Sequence, residues 1–161
     1  ANNYGNLVNR VISLWIAYKQ SWEQINSPHL VPKDTTLEIM GDYIKSMRSY
    51  DTQKAFSKIR DLLDEANNML NTTEPWKKSG EEKGKILIEG IVYVYYATLL
   101  FAPFIPEATE KVMQSLQNLG RRNPKLLELP MSINLMSIKD IPDIEVDLDN
   151  ITKPEILFVK K

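Results

Sequence analysis

Cysteine is absent from this chain of 161 residues, and histidine occurs once, at His29. Without thiols there are no disulfides and no thiolate zinc site, which fits a reducing cytoplasm, where the protein is expected to reside. A single histidine with no second nitrogen or sulfur ligand to share a metal reads as a surface residue rather than a catalyst. No glycine-rich phosphate loop is present, and Asp61, Asp64 and Glu65 share their helix with Lys58 and Arg60, as on a solvated charged face. A catalytic constellation is therefore missing, which makes this stretch a poor candidate for an enzyme and leaves its catalytic status open. Excess positive charge is lacking too. The net charge is −1 and the pI about 5.9, which argues against coating nucleic acid by bulk electrostatics but allows a reader of a few exposed bases. No signal peptide opens the chain, and it begins with Ala rather than Met, so a longer parent protein is expected.

An ordinary soluble composition remains, 43% hydrophobic and 25% charged, with length enough for one domain and a real core. A first helix is expected from about Asn3 to Gln24, with Leu7, Val8, Val11, Ile12, Leu14, Trp15, Tyr18, Trp22 and Ile25 on a broad apolar face. At about 100° per residue, Asn2, Asn3, Asn6, Asn9, Arg10, Ser13, Ala17 and Gln20 gather on the other side. That stripe is unusual, because solvated faces carry Lys and Glu, which form helices better than asparagine. It suits hydrogen bonding to base edges, close packing against another domain, or an ordinary wet face.

A proline-punctuated loop from Asn26 to Lys33 follows. Thr35 and Glu38 suggest a capping box for a helix of roughly Thr36 to Met47, and Asp51 a cap for a third helix ending near Asn71. Short connections imply antiparallel neighbours. Ser79 and Glu82 form a second capping box, opening a helix from about Gly80 to Phe101. Its centre is apolar almost all round, yet Glu89, Gly90 and three tyrosines interrupt it, so a buried central helix is expected and no membrane span. Pro106 starts a fifth helix through Leu119. Arg121, Arg122 and Lys125 form a small solvated basic cluster. After Pro130 the periodicity fades, and the largely apolar segment Glu155 to Val159 is expected to fold back on the bundle.

The most distinctive stretch is Ala66 to Lys78. Asn67 lies on the edge of the third helix's apolar face, in line with Phe56 and Leu63, where an amide needs partners. Pro75 fixes its own φ and pushes Glu74 out of the helical region, which aims Trp76. Lys77 and Lys78 place positive charge beside the indole. Aromatic, amide and lysines together could hold an unstacked base. A core tryptophan opening the next helix, with solvated lysines, fits the same residues, and on these residues alone that plainer reading stands ahead.

Four segments in order resemble one family. Ala1 to Arg10 looks like the opening of the anticodon-binding domain of methionyl-tRNA synthetases, which are class I aminoacyl-tRNA synthetases. Ala66-Asn67 followed by Pro75-Trp76-Lys77 is similar to the family's "AN…PW" segment. Leu99 to Lys111 resembles its "LL-x-PF-x-P-E-x-x-x-K" junction, and Thr152 to Phe158 its "KPE-x-LF" peptide. The resemblance spans nearly the whole chain, taken as a helical bundle over 1–130 with an extension over 131–161 that packs back. It implies an all-α antiparallel bundle of about five helices that receives the CAU anticodon loop of a methionine-accepting tRNA. The catalytic domain, with its "HIGH" and "KMSKS" motifs and its ATP and Mg, would lie N-terminal as a partner, and no cofactor is expected in this domain. The resemblance further implies that Trp76 stacks on the first anticodon base, with Asn67 in the same wall. Ser13 stands at the family's polar contact position on the first helix. Ala17 stands where bacterial relatives often carry arginine, a departure for which Lys19, Gln20 or the loop 26–33 could compensate. Asn6 and Asn9 read as structural, and Arg10 as either structural or anticodon-contacting. Competing readings are a helical protein-interaction module and the equivalent domain of a sister class I synthetase.

Overall fold

The computed structural model describes residues 2–19, 33–116 and 148–154. Helix α1 spans Asn2–Lys19, α2 Asp34–Arg48, α3 Thr52–Thr73, α4 Gly80–Phe101 and α5 Pro106–Ser115. Single 3-10 turns cover Pro75–Lys77 and Leu148–Asn150. No strand occurs among the described residues, and the architecture is an all-α bundle. The loop expected after α1 up to Pro32 (His29 included), the Arg121–Arg122–Lys125 cluster and the segment Glu155 to Val159 lie outside the described residues.

Helix α4 is the axis. It packs against α1, α3 and α5, while α2 packs on α3. From Ile86 to Phe101 every residue but Glu89 is buried, which is what an all-round apolar helix requires in water. By length and composition α4 could cross a membrane, but most of that stretch is buried inside the protein. Gly90 sets how closely α1 approaches: a Cβ there would meet Val11 Cγ1 at 3.2 Å and Cγ2 at 3.3 Å. Two buried tyrosine hydroxyls find partners across the core. Tyr4 Oη and Thr98 Oγ1 lie 2.6 Å apart, and the Tyr43 hydroxyl donates to the Leu100 carbonyl at 2.7 Å.

The helix ends follow local chemistry only in part. Asp51 caps α3 by accepting the Lys54 N–H at 3.1 Å, and Pro106 occupies the first turn of α5. Neither capping box forms. Helix α2 starts two residues earlier than the box requires, behind Lys33, and the Thr35 hydroxyl donates to Glu65 of α3 instead. Ser79 does stand at the N-cap of α4, but its side chain makes no cap hydrogen bond. Helix α3 runs two residues past Asn71, to Thr73.

The segment 148–154 lies against α1 and α5. Trp15 Nε1 donates to the Leu148 carbonyl at 2.8 Å, and Lys19 Nζ to the Ile151 carbonyl at 2.8 Å. The Thr152 N–H donates to the Ser115 carbonyl at 3.0 Å, and Ile151 is fully buried. These bonds hold the C-terminal half of α1 in place, and α1 carries the polar stripe.

Candidate nucleic-acid interface

The site begins with the way α3 stops. Glu74 adopts a left-handed conformation (φ 45°, ψ 63°), and its N–H donates to the Leu70 carbonyl at 2.9 Å. That is the αL manner of ending a helix, carried here by a residue with a side chain. Pro75, buried, then opens the 3-10 turn, and the Lys78 N–H closes it on the Pro75 carbonyl at 3.1 Å. The turn swings Trp76 outward. Its side chain is 42% exposed, so the indole is a surface ring and not part of the core.

Arg10 of α1 completes the geometry. Its guanidinium carbon lies 4.8 Å from the Trp76 ring centroid, within cation–π range. Arg10 is half-buried, while Asn3, Asn6, Asn9, Ser13 and Ala17 are exposed. By helical arithmetic Ala17 falls about 20° and Ser13 about 60° around α1 from Arg10, so both share the face that meets the ring. Tyr18, on the buried side of α1, ties that helix to the start of α4 by donating to the Gly80 carbonyl at 2.8 Å. Burial, with Glu81 adding, raises its phenol above the ordinary 10.0, so it stays a neutral donor. The Trp76 turn and the stripe are thus fixed relative to each other from both ends.

The structure therefore brings Arg10 and Trp76 together, with Ser13 and Ala17 on the same exposed face. Asn67 is half-buried on α3, and its amide makes no hydrogen bond to another described residue. Ala17 offers only a methyl group. The expected lysines do not supply the ring's cation. Lys77 pairs with Glu74 at 3.2 Å and Lys78 with Glu82 at 3.8 Å. The cation comes instead from Arg10, 66 positions away in sequence, and nothing local to Trp76 signals it.

Chemically, this surface can stack a planar ring and donate hydrogen bonds beside it; it holds no proton-transfer pair. No group of three or more His, Asp or Glu that could hold a metal occurs among the described residues.

An all-α bundle that shows a half-exposed indole and guanidinium next to an amide-lined helix belongs to the class of helical recognition modules. Residues 29–160 match the family model for the anticodon binding domain of methionyl tRNA ligase, and the chain belongs to that family. Among its relatives is the methionine–tRNA ligase of Bifidobacterium animalis subsp. lactis, 29% identical over 98% of this chain and 25% of the relative. The ligase of Thermotoga maritima is 28% identical over 71% of the chain and 19% of the relative. That of Enterococcus faecalis is 24% identical over 100% of the chain and 26% of the relative. The chain spans about a quarter of the length of such relatives. The matches to the Bifidobacterium and Enterococcus ligases cover almost the whole chain, α1 with its stripe included.

Proposed function

We propose that this domain reads the CAU anticodon loop of a methionine-accepting tRNA, in a ligase that attaches methionine to that tRNA. The observation that carries the reading is the surface indole of Trp76 beside α1's amide stripe. The bases of an anticodon loop are single-stranded and can splay out, stack on an aromatic ring and present their edges to side chains. In this reading Trp76 is the platform for the first base. Ser13 and Asn67, whose polar groups are not spent on described neighbours, offer hydrogen bonds to base edges. Arg10 adds positive charge at the platform, and Ala17 leaves room for a base edge without contributing a polar contact.

ATP with Mg, and the chemistry of methionine activation, would belong to a catalytic domain of the same protein, working in the cytoplasm. Membership of the family and the quarter-length coverage of its relatives support that division of labour.

The test is a titration of the chain with an anticodon stem-loop carrying CAU and with one carrying a changed first base. Tighter binding of the CAU stem-loop is the expected result. Equal, salt-sensitive binding of both would leave only backbone attraction. Binding of neither would overturn the reading and favour a protein-docking module.

A further inference from the structure

The guanidinium of Arg10 occupies the face of Trp76 that any base within reach of α1's stripe would have to use. Arg10 and the stripe belong to one helix, and Arg10 covers the ring from that helix's side at 4.8 Å. A base stacked on that face lies next to Ser13, about one turn along. A base on the opposite face would have the indole between it and the stripe. The side turned to the stripe is the one that can both stack and read edges, and it is already filled.

What fills it is a planar, delocalised cation, the protein group whose shape and stacking most resemble a base. Among the described residues no carboxylate forms an ion pair with Arg10, so none of them anchors the guanidinium away from the ring. A cation–π contact at an exposed site favours the closed arrangement by about two- to five-fold. Stacking of a base favours the exchange by about five- to 150-fold.

We infer that Arg10 is a placeholder: it covers the Trp76 platform in the free protein, is displaced when the first anticodon base stacks, and then pairs with the phosphate backbone beside that base. This rests on the anticodon reading proposed above and adds a positioning role for one residue. A free ring would attract other apolar surface, and the guanidinium covers it at little cost. Once displaced, its fork of donors matches a phosphate in two hydrogen bonds. Charge needed for the backbone is thus stored on the platform itself, which explains how a chain of net charge −1 can present a cation where the RNA arrives.

The experiment is NMR of the 161-residue chain with the CAU stem-loop as the probe. In the free chain the Arg10 side-chain signals should carry an upfield ring-current shift that Trp76→Ala abolishes. At saturation with the stem-loop those signals should return to ordinary positions while the Trp76 indole signal moves. Arg10 signals that keep their shift while the indole responds would overturn the placeholder and leave the anticodon reading intact. If neither group responds, the anticodon reading fails and the placeholder with it. Arg10→Gln supplies a second readout. The slope of log affinity against log salt should shrink by about 0.7, the value for one single-strand phosphate contact, with equal weakening for CAU and changed-base stem-loops. An unchanged slope overturns the phosphate half of the inference.

Discussion

Replacing Trp76 with alanine separates the two roles a tryptophan can play, because exposure bounds one and stacking sets the other. A fully buried tryptophan costs about 3–5 kcal/mol on truncation. With 42% of Trp76 exposed, the burial lost is roughly half of that, and the Arg10 contact adds about 0.5–1 kcal/mol. The folding cost should therefore be about 2–3.5 kcal/mol, a Tm decrease of about 4–14 °C for a domain of this size. Losing the stacked base should cost a further ~1–3 kcal/mol in binding, a five- to 150-fold weaker affinity for the CAU stem-loop. Trp76→Phe keeps a ring and should recover most of the binding. In a complete ligase carrying the substitution, tRNA charging should fall through kcat/KM for tRNA, while ATP-dependent methionine activation, followed by pyrophosphate exchange, stays unchanged. Two results would refute the reasoning: a large loss of stability with unaltered charging, which makes the ring structural, or an equal loss in both reactions.

Gly90→Ala tests the close approach of α1 to α4. Alanine gains about 1 kcal/mol of helix propensity, but its Cβ would crowd Val11, whose β-branched side chain is buried and cannot swing aside. Overpacking of about 1–3 kcal/mol should make the net change neutral to destabilising by about 2 kcal/mol in urea unfolding. In a Val11→Ala background the same substitution should stabilise, and an equal effect in both backgrounds would show that the two residues do not meet. Alkaline titration tests the buried phenols. Burial pushes Tyr43 up to about 12, and Tyr4 and Tyr93 are raised by burial as well, each above the ordinary 10.0. A raised folded-state pKa gives stability that is complete below pH 10 and is lost as pH climbs toward the folded value, at about 1.4 kcal/mol per pH unit for each tyrosine. Phenolate absorbance for these residues should appear together with loss of helix; phenolate forming near pH 10 with helix intact would contradict their burial.

Where the sequence carried its own physics, it was legible. An all-round apolar run had to become the buried axis, and Asp51 and Pro106 act within one turn of where they stand. What failed were local motifs with a distant competitor. Thr35 could have capped α2, but the Glu65 carboxylate, 30 positions away, takes its hydroxyl. Phe56 shares the spacing of α3's buried face, yet it stays 41% exposed and stacks on Phe104, 4.3 Å away beyond the end of α4. The same limit applied at the site. Whether Trp76 was core or surface depended on the turn made at Glu74 and on where α1 came to lie, and neither is written in the residues around the ring.

The polar stripe is where sequence and structure together say more than either does alone. Helix α1 is held by its other face, with Tyr4, Leu7, Val8, Val11, Ile12 and Trp15 all buried against the bundle. Its outer face bears no packing load among the described residues, since Asn3, Asn6, Asn9, Ser13 and Ala17 are all exposed. Stability would be served there by Lys, Glu or Ala, because each asparagine costs up to about 0.7 kcal/mol of helix propensity relative to alanine. The stripe therefore weakens the helix it lies on and gains nothing from the fold around it. Amides that neither stabilise their helix nor bury themselves leave that face open to contacts outside the bundle. The half-exposed Trp76 ring meets that stripe at Arg10, midway along it, and marks where the anticodon proposal would place such contacts.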